Sequence, residues 1–318
     1  MKTIKIYLSI SLMLTCFLLQ AQTSSNQMSP ALIEGEAATV GLSNERLARI
    51  DSMCVAAIRE GHLPGLVALV ARNGKIIYHK SFGTSNAITK KKLLKDDIFR
   101  LASQSKAITA TAVMMLWEEG KFRLDDPISK YIPEFKNPQI LDSLLVDGTY
   151  LTTPAKNEIT IRHLLTHTSG IGYGMIDSDP RIKQIYKEAG IVDLFTTKKI
   201  SIGENIKKLA TLPLHHNPGK AFTYSESYDV LGYFIEVISG IPFDVFLRKH
   251  IFDPLEMDDT YFYLPESKAG RLVSVQTKKD KQWINYPVTF YDPQYPIKGE
   301  KEFFSGGAGL SSTALDYA

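Results

Sequence analysis

Phe99-Arg100-Leu101-Ala102-Ser103-Gln104-Ser105-Lys106, running into the apolar stretch 107–120, is the segment on which the fold turns. Ser103 and Lys106 stand three apart, just under one helical turn, so both side chains share a face. A hydroxyl beside an amine held neutral is a nucleophile beside its base. Alone, Ser-x-x-Lys is weak, and it reads equally as a helix cap whose lysine reaches to solvent. The apolar residues of 107–120 lie on more than one side, which predicts a buried helix, with Gly120 placed to end it.

The chain has 318 residues, 44% hydrophobic and 22% charged, an ordinary globular composition with enough length for a large core. Lys2 and Lys5 precede an apolar run at 6–19 and then Gln20-Ala21-Gln22. This pattern predicts a signal peptide over 1–21, cut after Ala21, and a periplasmic or secreted protein with no stable membrane span once the signal is removed. Thr15 before Cys16, where a small residue is expected, argues against lipid anchoring. Removal of 1–21 takes two lysines and no acids, so 37 basic residues become 35 against 34 acidic ones. That near-neutral balance points to no nucleic-acid partner. Cys54 is then the only cysteine, which excludes an internal disulfide and a cysteine metal cluster.

Residues 22–41 read as a polar linker, and 42–318 as one domain. Apolar positions 47, 50, 53, 57 and 58 predict a helix over 44–59, capped by Ser43 or Asn44. Runs 66–71 and 75–82 flank Arg72-Asn73-Gly74, a strong hairpin signal. A short helix and polar loop are expected over 159–170. His163 and His167, four apart, and the pair His215-His216 read as structural histidines rather than metal ligands, because no third ligand accompanies them. Tyr224 precedes a helix at 228–238 closed by Gly240. A short helix at 245–252, an aromatic run at 259–264 and a second hairpin, 272–275 with 283–287, follow. The glycines of 305–309 imply close backbone packing, and Ser311-Ser312-Thr313 reads as a cap for a last helix.

Five blocks in this order carry a resemblance: 99–106 with 124–135, His163-Leu164-Leu165-Thr166-His167-Thr168-Ser169-Gly170, Tyr224 with Asp229-Val230-Leu231-Gly232, 251–255, and 306–313. Together they resemble the β-lactamase-related serine hydrolases, which include class C β-lactamases, D-alanyl-D-alanine carboxypeptidases and family VIII carboxylesterases. The resemblance runs from about Leu47 to the last residue. It implies an α/β (α+β) domain, an antiparallel sheet with helices and an inserted helical region. It implies Ser103 as acylated nucleophile, Lys106 as its activating amine and Tyr224 as a proton-transfer group. Glu226 stands where the family often has asparagine, which implies a substrate-facing acid. No cofactor and no metal are implied; the partner is a small-molecule or peptide substrate.

The family's third motif, a Lys-Thr-Gly, His-x-Gly or Trp-Gly-Gly type triplet on a strand, is expected C-terminal to 306–313. It is absent from these 318 residues, so the expectation is a C-terminally incomplete domain lacking its last strands and a second oxyanion donor. Two functions stay open: a serine hydrolase acting on an ester, amide or β-lactam, or a non-catalytic or defective fragment that at most binds cell-wall peptide.

Overall fold

The computed structural model describes residues 31–318; the expected signal peptide, 1–21, lies outside them. In chain order the elements are β1 (Ile33–Glu34), α1 (Asn44–Arg59), β2 (Gly65–Arg72), β3 (Lys75–Gly83), β4 (Phe99–Arg100), α2 (Ser105–Glu118), β5 (Gln139–Leu144) and β6 (Tyr150–Pro154). Then come α3 (Ile161–Leu165), α4 (Pro180–Glu188), α5 (Ile202–Leu209), α6 (Ser227–Ser239), α7 (Phe243–Leu247), α8 (Glu266–Ala269), β7 (Gln276–Lys279), β8 (Gln282–Asn285), β9 (Ser311–Ser312) and α9 (Ala314–Tyr317). Among the described residues no single helix is long and apolar enough to cross a membrane.

The first hairpin forms as its Asn-Gly turn predicts. Asn73 and Gly74 are both left-handed, at φ 52° and 73°, the combination that matches the twist of the flanking strands. β3 is central in a sheet of order β1-β3-β2. Ser43 caps α1 by accepting from the Arg46 N–H, and α1 lies on β3. There Asp51 accepts from the Tyr78 hydroxyl at 2.6 Å and the Lys80 ammonium at 2.8 Å.

Part of the expected linker belongs to this domain. Ile33 and Glu34 pair in parallel with Lys75 and Ile76, and Ala37 and Val40 are buried. Polarity hid this, since a two-residue strand contributes no periodicity.

The second lobe is helical and built around α6. Its residues 227–232, with Phe234 and Ile235, are all buried, and α2, α3, α5 and α7 pack on it. Phe122 and Tyr131 meet the Phe234 ring edge-on, each at 5.1 Å. Helix α2 is less enclosed than its sequence predicts: Ala107, Thr111, Trp117 and Glu118 are exposed while Ile108, Ala112, Val113 and Leu116 are core.

One local expectation shifts. The later hairpin is β7–β8, centred on left-handed Asp280 and Lys281; Leu272 instead bridges Ile98. The aromatic run 259–264 makes only one bridge, Tyr261 to Ser311.

Both lobes are joined by the end of the chain. β9 pairs antiparallel with β4, Phe99 opposite Ser312 and Arg100 opposite Ser311. Gly306 is in contact with α6: an added Cβ would lie 2.4 Å from the Tyr228 carbonyl oxygen. Gly306→Ala should therefore destabilise the protein by about 1–3 kcal/mol in urea titration, the usual penalty for overpacking. Gly270→Ala, in open space at φ −66°, should be neutral or stabilising by up to about 1 kcal/mol. Equal effects at the two positions would refute the close-packing account.

Candidate active site

Ser103 lies in a short 3-10 turn, Ala102–Gln104, and the α-helix proper begins at Ser105. The serine is thus not the cap of a regular helix, but it still precedes Lys106 by three residues. Ala102 is left-handed at φ 45°, a conformation that a non-glycine residue holds only when its surroundings fix it. Here they do. The Leu101 N–H donates to Leu310 at 2.8 Å, the Leu310 N–H donates to Ser105 Oγ at 3.1 Å, and β4 is fastened to β9.

The three expected residues converge. Tyr224 OH donates to Ser103 Oγ at 2.5 Å, and Lys106 Nζ lies 3.2 Å from the same oxygen. Ser103 and Tyr224 are exposed, whereas Lys106 is 8% exposed. Lys106 Nζ donates to the Gly307 carbonyl at 2.7 Å and to Tyr173 OH at 3.3 Å. It also faces the rings of Tyr224, Tyr173 and Tyr228 at 4.7, 5.9 and 5.9 Å, which attract a cation. Ser103 precedes the helical ladder, so its N–H is among the leading amides without an intrahelical acceptor.

Tyr173 is a site residue that sequence reasoning missed. It follows the polar loop after α3, and nothing in Gly172-Tyr173-Gly174 marks it as a partner for a lysine sixty-seven positions earlier. Burial, then the acids Glu226 and Asp229, keep its phenol protonated.

Glu226 does not face a substrate. Its residue exposure is 1%, and both carboxyl oxygens are buried. It sits at the head of α6, where its amide donates to the Gly172 carbonyl at 3.1 Å and fixes the side chain inward.

The histidines have structural partners. His163 and Thr160 bond reciprocally across the start of α3, each at 3.2 Å. His215 Nε2 meets Asp177 Oδ2 at 3.0 Å, and His216 Nε2 meets Thr223 Oγ1 at 2.9 Å. His167 packs at a tilt against Tyr224 and Tyr228, with centroids 4.7 and 5.1 Å apart, and its Nδ1 meets Ser225 Oγ at 3.1 Å. His167 thereby wedges the Tyr224 ring from behind.

A buried lysine and a tyrosine thus meet within hydrogen-bond reach of one exposed serine in this α/β fold. The chain belongs to the Beta-lactamase family, whose model matches residues 47–318. It is 35% identical over 219 residues to Esterase EstB of Burkholderia gladioli, covering 69% of this chain and 52% of that one. An uncharacterized protein of Mycobacterium tuberculosis is 33% identical over 272 residues, 82% of this chain and 63% of that one. The chain thus spans between half and two thirds of the length of these relatives. Among solved structures, EstCE1, described as a hydrolase with promiscuous acyltransferase activity, superposes with a TM-score of 0.72 at 29% identity. That match covers 85% of this chain and 70% of that one.

Burial first, and the Lys106 charge second, lower the His167 imidazole from 6.5 to about 4. The folded protein therefore refuses a proton that the unfolded chain accepts near 6.5. Stability should fall as pH drops from about 6.5 to about 4 and level off below. His167→Gln should remove close to one proton from the slope of unfolding free energy against pH in that window, measured by urea titration. An unchanged slope would show that His167 is not held neutral.

Proposed function

We propose that the protein is an esterase-type serine hydrolase that forms an acyl-enzyme on Ser103. The observation that carries this reading is the shared contact of one exposed hydroxyl, Ser103 Oγ, with Tyr224 OH at 2.5 Å and Lys106 Nζ at 3.2 Å. Family membership and the similarity to an esterase and a hydrolase support it.

The reactive form is the one in which Lys106 and Tyr224 hold one proton fewer between them. The Ser103 proton then passes to the phenolate or the amine as Oγ bonds to the carbonyl carbon of the ester. The tetrahedral oxyanion lies near the Ser103 N–H, where a hydrogen-bond donor is worth roughly 3 kcal/mol. As the C–O bond to the alcohol breaks, the leaving oxygen takes the proton from the Lys106–Tyr224 pair. Water repeats the sequence and frees the acid. Lys106 is bound by neutral acceptors and aromatic faces, so its charge is available to the anion forming beside it.

Esters are favoured over charged peptides by the mouth of the site. Phe222 is 68% exposed and packs on His167, which in turn packs at a tilt against Tyr224. Glu226, the polar group expected there, is turned inward. The same reading places the protein outside the cytoplasm, supported by the basic, apolar and small residues of 1–21.

A fluorophosphonate probe should label Ser103, identified by peptide mass spectrometry, and the label should vanish in Ser103→Ala. Tyr224→Phe should lower kcat/KM for a short-chain p-nitrophenyl ester by about 100- to 10,000-fold, the usual worth of a proton-transfer group. Turnover of a chromogenic β-lactam should be far slower than of the ester. A folded protein that takes no label at Ser103 would overturn the reading.

A further inference from the structure

Behind the site, three acids converge where none is needed for contact with a substrate. Glu226, the N-cap of α6, stands three residues before Asp229 in its first turn. Both are about 1% exposed. Asp229 Oδ1 accepts from Ser305 Oγ at 2.7 Å and from the Gly307 N–H at 2.8 Å. The Gly307 carbonyl belongs to the next peptide, Gly307–Ala308, whose N–H donates to the same Ser305 Oγ at 3.0 Å, and it accepts from Lys106 Nζ at 2.7 Å. Asp193 is the third acid, tied to the Gly174 and Met175 amides at 3.0 and 2.5 Å.

Glu226 has no comparable partner: no donor reaches either of its buried oxygens. A buried carboxylate without donors is too costly to persist. A carboxylic acid in the same place has a proton to give, and the neighbours it finds are carboxyl oxygens. Burial, then Asp229 and Asp193, push Glu226 well above the usual carboxyl range. A cation does not resolve the cluster, since no group of three or more metal-ligating side chains is arranged to hold one among the described residues.

We infer that Glu226 donates a hydrogen bond to Asp229, and that this pair positions Lys106 through Ser305 and the Gly307–Ala308 peptide. This rests on the hydrolase reading above. Glu226 is a positioning residue, not a catalytic one. Its proton lets two adjacent buried carboxyls share a single negative charge. Asp229 can then hold the Gly307 N–H and Ser305 Oγ, which fix the peptides on both sides of the Gly307 Cα and so aim its carbonyl at Lys106. Loss of the donor sets two polar groups at odds, rotates the Gly307–Ala308 peptide and takes the amine off the Ser103–Tyr224 pair.

Glu226→Gln keeps a neutral N–H donor of the same length, and Glu226→Met keeps the volume without the donor. For the p-nitrophenyl ester, Glu226→Gln should retain kcat within about threefold, while Glu226→Met should lose about tenfold or more with KM within about twofold. Fluorophosphonate labelling of Ser103 should slow in parallel. Asp229→Asn, which alters the acceptor and not the size, should also lower kcat about tenfold or more, and it serves if Glu226→Met fails to fold. At pH 8, infrared difference spectra of wild type against Glu226→Gln should show a protonated-carboxyl stretch that is missing in the variant.

Wild-type kcat in Glu226→Met or Asp229→Asn, or a Glu226→Gln as impaired as Glu226→Met, would overturn the inference. So would the absence of the infrared band, which is read without any activity. An unlabelled wild-type Ser103 would defeat the hydrolase reading, and with it the catalytic consequence. The band would still decide whether Glu226 is the donor.

Discussion

The structure depends on a strip of bare backbone, Gly306-Gly307, set between helices α2 and α6. Side chains could not fill this gap, because a Cβ on Gly306 would lie 2.4 Å from the Tyr228 carbonyl. In this dry contact each peptide group needs a partner, since a buried unpaired one costs roughly 1–3 kcal/mol. The partners come from both helices. Thr109 Oγ1 donates to the Gly306 carbonyl at 2.8 Å and Lys106 to that of Gly307, both from α2. Asp229, from α6, takes the Gly307 N–H. The strip therefore fixes the separation of two helices and the direction of the lysine in one set of bonds.

The same strip accounts for the conformation at the serine. Residues 310–312 continue from it along β4, tying Leu101 to Leu310 and Arg100 to Ser311. Chain on both sides of Ala102 is thus held before the turn is made, and Ala102 is left with a positive φ. A left-handed alanine costs of order 1–3 kcal/mol. What it produces is a tight turn that lifts Ser103 to the surface while Lys106, three residues on, stays buried. A regular helix start would place the two groups in similar surroundings. The strained turn leaves the Ser103 hydroxyl exposed and the Lys106 amine buried.

This division explains what the sequence makes legible. Ser103 with Lys106 is a local spacing, and Tyr224 is tied to a recognisable helix start, so all three can be picked out. The Asn73-Gly74 hairpin, the Ser43 cap and the Gly120 and Gly240 helix ends are likewise written within a few residues. Tyr173, Gly307 and Asp229 are not, because their roles exist only across separations of 67 to 201 residues. Glycine density at 305–309 announces a close approach without naming what is approached. Glu226 shows the opposite limit. Its neighbour Tyr224 points out, so a polar residue two positions later invites a place at the mouth. The turn that starts α6 reverses the direction between them, and only the hydrogen bond from the Glu226 amide to Gly172 reveals it. The strand Ile33–Glu34 is missed for a simpler reason, since two residues carry no period.

Lys106 is surrounded with a consistent logic. Its direct acceptors, Gly307 O, Tyr173 OH and Ser103 Oγ, are all neutral. The acid in this chain of bonds, Asp229, holds the Gly307 N–H and so stands on the far side of the Gly307 residue. A carboxylate in direct contact would cancel the ammonium's charge, and the attraction at such range grows steeply as water is excluded. An intervening glycine residue keeps the geometric benefit of an acid, a firmly aimed carbonyl, while leaving the charge uncancelled. Three tyrosine faces at 4.7–5.9 Å add attraction without adding a competing anion. On the hydrolase reading proposed above, this leaves the lysine facing the Ser103–Tyr224 pair, where negative charge would form. On that reading, an environment that holds a cation with dipoles and ring faces alone favours negative charge that develops during a reaction over charge already present in the fold.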